Sequence, residues 1–512
     1  MRAVLTLFEG VATGAADGYA RIAEKPAATL LHLGCGLGNG LANLHNARKA
    51  RVPMVNIVGD HATYHVQYDA QLQSDIETVA RNVSTWVRTS QSTSEIGADT
   101  AEAIKVAQGH PQQISTLILP ADVSWSEGGT AINDFTQADS EAAAADLVNE
   151  IAEVLKKSGK KTILFLGRRV LMEEGLMAAS KIAEKTGAKL LCEVFPTRLQ
   201  RGAGLPYVER LAYLAEMASV QLKGYDHIVL IDAKAPVSFF GYPGKKSYLV
   251  PEKCKVHNLV EPNQDALKSI KALVEAVGAS ETPPKIQEAT RPKLPSGKLN
   301  AEKVMQAIGA LLPENAIISD EAQTSGVKLA SATQGAPKHD VLALTGGAIG
   351  QGIPAAVGAA IAGKDRPVLA LAGDGSSMYT IQALWSIVAE NLDVTTVIFN
   401  NGSYAILNIE LERVGAEKVG PKAKAQLNIS SPAIDFVSIA EGMGMPAVRA
   451  KTAKEFNKAL KNAFNEPGPH LIEAVVPSEY QGFKLKALPY LLNSLDLMPN
   501  SIAKAIKKKF AP

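Results

Sequence analysis

Two stretches in the last third of the chain decide the fold: VLALAGDGSS at residues 368–377 and TTVIFNNGS at residues 395–403. Each is an apolar strand that runs into a short polar turn. In a parallel sheet, the carboxyl ends of the strands face the crevice where α/β proteins bind ligands. We therefore predict that Asp374, Asn401 and the carbonyl of Ser403 lie close together, as oxygen ligands suited to Mg²⁺ on a diphosphate.

The first of these turns also suits a phosphate group. Gly375 lets the backbone approach a ligand closely, and the amino terminus of the following helix favours an anion. Either motif alone is also typical of an ordinary turn, since Asn-Asn-Gly is a common hairpin signal. The occurrence of both motifs at consecutive strand ends favours the binding site.

Short apolar strands alternate with Ala-rich helices along the whole chain, which predicts an α/β fold with parallel sheets covered by helices. Two polar segments that contain Gly or Pro, 124–139 and 282–297, are predicted linkers. They divide the chain into three doubly wound blocks followed by a basic tail, with the bounds 1–125, 140–281, 298–480 and 481–512.

Composition excludes several classes of protein. The 512 residues include 53 Lys and Arg against 51 Asp and Glu, a net charge of +2 that gives no reason to expect a nucleic-acid partner. No apolar run of about 20 residues is present, so we expect no integral membrane segment. The three cysteines, Cys35, Cys192 and Cys254, form neither a disulfide framework nor a zinc motif, which favours the cytoplasm or another reducing compartment.

The paired motifs resemble the diphosphate-binding signature of the thiamine-diphosphate-dependent enzymes, and the likeness covers nearly the whole chain. Within that superfamily, the chain is similar to the branch that holds acetolactate synthase large subunits and benzoylformate decarboxylase. The resemblance implies a pyrimidine-binding (Pyr) domain, a central Rossmann-like domain and a diphosphate-binding (PP) domain, in the order of the three blocks. It also implies thiamine diphosphate and Mg²⁺ as cofactors, with Asp374, Asn401 and the Ser403 carbonyl on the metal and with Gly375 and Ser376 on the diphosphate.

The segment TGGAIGQGIP, residues 345–354, precedes the first motif. By resemblance it passes beneath the cofactor, where the Gly347 carbonyl accepts a hydrogen bond from the pyrimidine amino group and Ile349 supports the bent cofactor. Taken alone, the segment is more typical of a Gly-rich turn between a strand and a helix. Glu321, which follows another predicted strand, is expected to face the same crevice.

Glu9 is the candidate catalytic carboxylate. It ends a predicted strand, Ala3–Phe8, and precedes GVATGAADGYAR at residues 10–21, a helix of small residues that permits close packing. A similar helix follows the glutamate that, in this family, holds a proton on the pyrimidine ring of the cofactor. Because that glutamate and the PP domain come from different subunits in these enzymes, the resemblance implies a homodimer or homotetramer.

Five further side chains are candidates for the substrate pocket or for proton transfer. His61 follows a strand end and could transfer protons on a carbonyl intermediate, or could make only structural hydrogen bonds. Arg51 could bind a substrate carboxylate, or could be a cation that ends a helix. Cys35 stands where the family usually has proline and is expected to be an inert small residue in the active-site turn. Tyr404 and Ile406 follow the metal motif and could line the pocket.

The preferred reaction is decarboxylation of a small-molecule 2-oxo acid with carboligation of the remaining fragment to a second 2-oxo acid, as in acetolactate synthases. The alternatives are simple decarboxylation of the benzoylformate decarboxylase type and a catalytically silent binding or regulatory protein of the same fold. Retention of Glu9, Asp374 and Asn401 argues against the silent protein. FAD is not expected, because residues 196–206 lack the Gly-Met-His-Gly element with which acetolactate synthases usually bind it.

The two ends of the chain carry separate expectations. Related chains have a further strand and helix before the catalytic glutamate, whereas Glu9 lies almost at the start. We therefore expect a Pyr domain that lacks its amino-terminal unit, either by truncation or because a partner covers the gap. The tail ends in Lys504, Lys507, Lys508 and Lys509, and is predicted to be a solvated helix end, with contact to a membrane surface or a partner as the alternative.

Overall fold

A computed structural model describes residues 2–133, 139–242, 245–414, 416 and 419–478, and in the tail residues 487, 491, 492, 494, 495, 498, 499, 501–503 and 506. The strands in these residues are β1 (Ala27–His32), β2 (Met54–Asp60), β3 (Trp86–Thr89), β4 (Ile114–Pro120), β5 (Thr162–Leu166), β6 (Lys189–Cys192), β7 (Leu199–Arg201), β8 (Glu209–Arg210), β9 (His227–Ile231), β10 (Lys255–Asn258), β11 (Ile317–Glu321), β12 (His339–Ala343), β13 (Val368–Gly373), β14 (Val394–Asn400), β15 (Ala447–Ala450) and β16 (Pro469–Val475). The α-helices are α1 (Glu9–Ala23), α2 (Leu33–Ala50), α3 (Ile76–Arg81), α4 (Ile96–Gln108), α5 (Ala121–Trp125), α6 (Ala145–Ser158), α7 (Glu173–Thr186), α8 (Ala215–Leu222), α9 (Ala266–Ala276), α10 (Ala301–Leu311), α11 (Leu329–Ala332), α12 (Gly352–Ala362), α13 (Asp374–Ser377), α14 (Ala383–Ala389), α15 (Ala405–Arg413), α16 (Pro421–Ala425), α17 (Phe436–Gly442) and α18 (Ala453–Asn465). Short 3₁₀ helices lie at Val66–Tyr68, Gly159–Lys161, Arg168–Leu171 and Gln323–Gly326. None of the helices in this described part of the chain is long and apolar enough to cross a membrane.

Each of the three blocks is built around its own sheet. The first sheet has the strand order β1-β2-β4-β3 and the second has the order β10-β9-β5-β6-β8, and the pairs in both are parallel. The third has the order β15-β16-β14-β13-β11-β12-β7 and is parallel except for β7. The strands are apolar and largely buried beneath helices. The predicted α/β fold with parallel sheets is therefore confirmed.

One strand of the third sheet comes from the central block and was not predicted. β7 pairs antiparallel with β12, so that Arg201 lies opposite His339 and Leu199 lies opposite Val341. This pairing attaches the central block to the edge of the third sheet. A strand of three residues is too short to show a periodic pattern, which is why sequence periodicity did not indicate it.

The helices α1 and α12 cross with their backbones in contact. A Cβ atom added at Gly18 would lie 2.0 Å from the carbonyl oxygen of Ala355, and one added at Gly358 would lie 1.8 Å from that of Ala15. Only glycine allows this approach, because any side chain would overlap the opposing backbone. The small-residue helix predicted after Glu9 therefore does permit close packing, and the element that it packs against is α12 of the third block.

A buried ion pair lies beside this crossing and joins all three blocks. Arg21 Nη2 lies 2.8 Å from Asp17 Oδ2 on the preceding turn of α1, and both side chains are buried. Arg21 Nη1 donates hydrogen bonds to the carbonyl of Ala343 in the third block, at 2.8 Å, and to that of Thr197 in the central block, at 3.0 Å. Gln351 donates to the same Asp17 carboxylate. The pair is thus paired and hydrogen-bonded throughout, which is the condition for burying charge at low cost.

The predicted strand Ala3–Phe8 is wrong. Residues 2–8 form no strand, and α1 begins directly at Glu9. Leu5 and Leu7 are 68% and 54% exposed, whereas Phe8 packs against a hydrophobic cluster that α1 shares with the third block. A short apolar run shows that a strand is compatible with the residues, but not that a neighbouring strand is present to pair with it.

Part of the basic tail packs against the rest of the protein. Leu492, Leu495 and Ala503 are buried in a cluster with Met217 of α8 and Ile409 of α15. The solvated helix end predicted for the tail therefore does not apply to these three residues. The four lysines that motivated the prediction lie outside the described residues.

The crossing of α1 and α12 predicts a large cost for a single added methyl group. We expect Gly358→Ala to lower the free energy of unfolding by about 3 kcal/mol, because the new Cβ meets backbone that cannot move independently. Gly38→Ala in α2 is the matched control, since nothing lies within 4 Å of its added Cβ. We expect that control to be neutral or to stabilise the protein by about 0.5–1 kcal/mol. Urea unfolding followed by circular dichroism gives both values, and equal midpoints for the two variants would contradict the described crossing.

Candidate active site

The two polar turns meet at the end of neighbouring strands. β13 and β14 pair in parallel, which places the Gly-Asp-Gly turn beside the Asn-Asn-Gly turn. Asp374 Oδ2 accepts hydrogen bonds from the amides of Asn401, at 2.9 Å, and Gly402, at 2.6 Å. Asp374 Oδ1 accepts one from the Gly375 amide at 2.8 Å. Burial raises the pKa of Asp374, and these three amides act in the opposite direction.

The oxygen atoms at these turns fit the requirements of Mg²⁺. The Asp374 carboxylate is accompanied by Asn401 Oδ1, which accepts the Ser403 amide at 2.9 Å, and by the Ser403 carbonyl, which accepts the Ala405 amide at 2.9 Å. Carboxylate, amide and carbonyl oxygens are the hard ligands that Mg²⁺ prefers when phosphates complete its coordination. The set contains only one acid, so it differs from a cluster of three or more His, Cys, Asp or Glu side chains, of which the described residues contain none.

Gly375 is required by the packing of Tyr404. A Cβ added at Gly375 would lie 2.4 Å from Tyr404 Cε1. The tyrosine ring thus lies directly over the turn that carries Gly375 and Ser376. Glycine at this position therefore leaves room for the ring against the backbone of the turn.

The segment 345–352 is held in place by α2 of the first block. Asn46 Nδ2 donates to the Ala348 carbonyl at 2.8 Å, and Asn46 Oδ1 accepts the Ala348 amide at 3.1 Å. Asn43 Nδ2 donates to the Gly350 carbonyl at 3.1 Å. Sequence analysis missed these asparagines, although Asn39, Asn43 and Asn46 repeat at the helical spacing that places them on one face of α2. This contact fixes the position of Gly347 and Ile349.

Glu321 holds the same segment from the other side. Its carboxylate oxygens accept the amides of Gly350 and Gly352, each at 2.6 Å, and the residue is only 2% exposed. Burial raises the pKa of Glu321 to about 7 although these amide hydrogen bonds lower it. Glu321 lines the cavity described next, so it does face the predicted crevice, and its oxygens position the backbone there.

A cavity of about 550 Å³ lies between the central and third blocks. Gly347, Ile349, Tyr404 and Ile406, all of them predicted site residues, line one part of it. The central block contributes aromatic side chains and two arginines to the lining: Phe195, Tyr213, Phe239, Phe240, Arg201 and Arg210. The volume is in the range that holds a small-molecule ligand.

A buried network of charges joins α15, which follows the metal motif, to the central block. Arg413 on α15 lies 2.9 Å from Glu410 on the preceding turn and 3.0 Å from Glu216 of α8. Tyr213 donates to Glu410 at 3.3 Å, and the Arg413 guanidinium lies 4.3 Å from the ring centroid of Tyr242. These contacts fix α15, and with it Tyr404 and the cavity wall.

Glu9 lies at the first turn of α1 and does not line this cavity. Asn39 Nδ2 of α2 donates to Glu9 Oε2 at 3.1 Å. A Cβ added at Gly36 would lie 3.3 Å from Glu9 Oε1 and 3.6 Å from the Cβ of His32, so Glu9 and His32 flank the start of α2. The candidate catalytic carboxylate is therefore not among the residues that line the cavity beside the cofactor-binding turns of its own chain.

His61 and Cys35 lie on the same side of the first sheet as Glu9. His61 follows β2, whose end is beside that of β1, and its amide donates to Asp60 Oδ1 at 2.7 Å. Its Nε2 is buried without a hydrogen-bond partner among the described residues. Cys35 is a free, exposed thiol in the first turn of α2. His32, at the end of β1, is a further histidine at this edge that the sequence analysis did not single out.

Arg51 lies far from these residues in the fold. It ends α2 with a left-handed backbone (φ 51°) just before β2 begins, at the amino ends of the strands. Its Nη1 lies 3.9 Å from Asp232 Oδ1 of the central block. The structure therefore does not bring Arg51 together with the cavity, and it favours the alternative that Arg51 is a cation ending a helix.

Known proteins share both halves of this arrangement. Residues 1–81 match the family described as "Thiamine pyrophosphate enzyme, N-terminal TPP binding domain". Residues 323–474 match the one described as "Thiamine pyrophosphate enzyme, C-terminal TPP binding domain". The first range includes Glu9, and the second includes both polar turns and the segment 345–352.

Individual relatives cover nearly the whole chain. A Mycobacterium tuberculosis protein named "Putative acetolactate synthase large subunit IlvX" is 59% identical over 93% of this chain and 92% of its own length. Benzoylformate decarboxylase from Pseudomonas aeruginosa is 29% identical over 93% of this chain and 92% of its own length. The solved structure of a Rhodococcus jostii thiamine diphosphate-dependent 4-hydroxybenzoylformate decarboxylase has a TM-score of 0.79 at 25% identity, over 93% of this chain and 92% of that one.

The buried carboxyl of Glu321 predicts a specific pH dependence of stability. Its pKa is raised from 4.5 to about 7 in the folded protein. The carboxyl therefore contributes most stability below pH 4.5, where it is protonated in both states, and the contribution is lost as pH rises toward 7. We expect Glu321→Gln to remove this loss, which amounts to about 3 kcal/mol for a shift of this size.

Urea unfolding of the wild type and the variant between pH 4.5 and 8 measures the effect as a difference in slope. Glu455→Gln is the control. The pKa of the exposed Glu455 is lowered, so its contribution to the free energy of unfolding changes only at pH values below 4.5. A Glu321→Gln variant with the same dependence as the wild type would show that Glu321 titrates normally.

Proposed function

The chain belongs to the thiamine-diphosphate-dependent enzymes, and from that premise we propose that it decarboxylates a 2-oxo acid and joins the remaining fragment to a second 2-oxo acid. The observation that carries this proposal is the 59% identity, over nearly the whole chain, to a protein named as an acetolactate synthase large subunit. The cavity beside Ile349 and Tyr404 supports it, because about 550 Å³ is ample for two small acids in turn.

The cofactor site is assigned to the residues whose chemistry fits it. Asp374, Asn401 and the Ser403 carbonyl would hold Mg²⁺, and Gly375 and Ser376 would contact the diphosphate. When bound, thiamine diphosphate supplies the nucleophilic carbon and the electron-accepting ring that decarboxylation of a 2-oxo acid requires. The predicted absence of FAD stays a prediction.

The residues around the cavity orient the reacting groups. When the cofactor is bound, the Gly347 carbonyl would accept a hydrogen bond from the amino group of the pyrimidine, and Ile349 would support the cofactor. Both positions depend on the hydrogen bond that Asn46 donates to the segment 345–352 and on the one that Glu321 accepts from it. Because these bonds are made before any ligand arrives, little free energy is needed to organise the site.

Glu9 is proposed to hold the catalytic proton in a site completed by a second copy of the chain. Glu9 does not line the cavity of its own chain, and it lies at the start of α1 beside Asn39 and His32 of the α2 segment. A homodimer, alone or within a homotetramer, would bring Glu9 of one subunit to the cavity of the other. His61 lies at the same edge and is a candidate for proton transfer on the substrate.

Simple decarboxylation is the second candidate. The resemblance to two benzoylformate-type decarboxylases favours it, and so does the aromatic lining of the cavity. The two reactions differ only in what meets the intermediate, a proton or a second 2-oxo acid, so the acceptor part of the pocket decides between them. A catalytically silent protein is disfavoured by retention of Glu9, Asp374 and Asn401.

An assay of the purified protein with thiamine diphosphate and Mg²⁺ tests the reaction. We expect CO₂ and a 2-hydroxy-3-oxo acid from a 2-oxo acid substrate. Pyruvate and benzoylformate are the first substrates to supply, with acetolactate, aldehyde and CO₂ measured separately. Release of aldehyde without acetolactate would show that the enzyme carries out simple decarboxylation and would contradict carboligation. Absence of all products from every 2-oxo acid would support a catalytically silent protein.

Substitution of Glu9 tests its role. We expect Glu9→Gln to lower kcat by about 10²-fold or more, because the amide cannot exchange a proton, while binding of the cofactor remains measurable by quenching of protein fluorescence. Glu77→Gln, at an exposed residue that pairs with Arg81, is the control and should retain full activity. A Glu9→Gln variant as fast as the wild type would remove Glu9 from the mechanism.

A further inference from the structure

A buried cation that lines the cavity forms no salt bridge with the described residues. Arg201 lines the cavity and is only 5% exposed. Its Nη2 donates to the Ala330 carbonyl at 2.6 Å, and its Nε is buried without any hydrogen-bond partner among the described residues. No carboxylate of the described chain lies within 4.0 Å of its guanidinium. An unpaired buried charge is costly, so such a group usually has an anionic ligand.

The groups around Arg201 do not neutralise it. Arg210 and Asp320 lie 3.7 Å apart and offset each other's charge, and Arg210 also donates to the Val194 carbonyl. His339, opposite Arg201 in the sheet, has its pKa lowered to about 4 by burial and by Arg201, so it is neutral at pH 7. Two further neighbours are uncharged at that pH, because burial raises the pKa of Tyr207 and the pKa of Cys192. Arg201, Arg210 and Asp320 together therefore carry one net positive charge, because the single carboxylate of Asp320 faces both arginines.

His339, which lies opposite Arg201 in the sheet, also has an unsatisfied polar atom. Its Nδ1 lies 2.7 Å from the Pro337 carbonyl, whereas its Nε2 is buried without a partner among the described residues. Two nitrogen-bearing side chains on adjacent strands thus leave polar atoms unsatisfied. Native proteins keep such atoms few, and each one calls for an explanation.

The cavity connects this charge to the reacting end. Gly347, Ile349 and Tyr404 line the same cavity as Arg201, and apolar side chains such as Phe195 and Leu211 lie along it. A ligand that extends from Ile349 to Arg201 would therefore present an apolar middle between two ends. In the proposed reaction the carboxylate that leaves as CO₂ would lie beside Ile349, so the group facing Arg201 would be a different one.

We propose that Arg201 binds a second carboxylate of the substrate, so that this enzyme uses a 2-oxo acid with a distal carboxylate, a 2-oxo dicarboxylic acid. The assignment of the reacting end rests on the function proposed above, whereas the anion site at Arg201 does not. A carboxylate carries one negative charge and matches the single net positive charge, and its two oxygens suit the guanidinium fork. A phosphate group would bring about two charges at pH 7 and leave one of them unmatched.

Binding of an unreactive acid tests the site without turnover. Glutarate has two carboxylates and pentanoate has one on a chain of equal length. We expect glutarate to bind the enzyme with thiamine diphosphate and Mg²⁺ at least tenfold more tightly than pentanoate in isothermal titration calorimetry. Arg201→Met should abolish this preference, and Arg88→Met, at an exposed arginine of the first block, should keep it. Equal binding of the two acids by the wild type would overturn the proposal, and so would tighter binding of inorganic phosphate than of glutarate.

Turnover then separates this proposal from the one on which it builds. We expect kcat/KM for 2-oxoglutarate to exceed that for 2-oxopentanoate by at least tenfold in the wild type, and the two to become equal in Arg201→Met through loss of the dicarboxylate alone. Preference for glutarate without turnover of any 2-oxo acid would support the anion site and contradict the proposed reaction. Faster turnover of 2-oxopentanoate would support the reaction and overturn the role of Arg201. The comparison of acids in the wild type needs no variant. It therefore tests the preference for a dicarboxylic acid even if Arg201→Met does not fold.

Discussion

The contact between the backbones of α1 and α12 is the constraint on which the rest of the structure depends. Gly18 and Gly358 allow the two helices to approach until each touches a carbonyl of the other. α1 begins at Glu9, and α12 begins at Gly352, at the end of the segment beneath the proposed cofactor site. A rigid crossing therefore fixes the catalytic candidate and the cofactor segment relative to each other, although they belong to different blocks. Such contacts tolerate little displacement because protein interiors are close-packed.

Hydrogen bonds to polar side chains then fix the position of the segment 345–352 relative to these two helices. Asn43 and Asn46 bond to it from the first block, and Glu321 bonds to it from the third. These bonds satisfy backbone amides and carbonyls that a Gly-rich segment could not satisfy by itself. The cost is a carboxyl group with a pKa of about 7 in the core. Burial of this carboxyl group lowers the free energy of unfolding near neutral pH, and its hydrogen bonds hold the backbone beside the proposed cofactor site.

The cavity has two chemically different ends because two blocks build it. The third block contributes Ile349, Tyr404 and the metal motif, and the central block contributes the aromatic side chains and β7 with Arg201. Members of the family share the C-terminal TPP binding domain, which contains the first end in this chain. Substrate choice among them is expected to lie at the second end, where one net positive charge alters which acids bind.

Much of the fold and of the cofactor site could be predicted from the sequence, because both depend on local patterns. The apolar strands with polar turns at 368–377 and 395–403 indicated the parallel sheet, and with it the meeting of Asp374 and Asn401. Ala3–Phe8 was predicted wrongly because an apolar run says nothing about whether a partner strand exists. The antiparallel addition of β7, the asparagines that hold residues 345–352 and the buried charge of Arg201 were decided only by tertiary structure. Each of these features is formed by segments that are far apart in the chain. The properties of a residue there depend on its spatial neighbours, which a local sequence pattern does not identify.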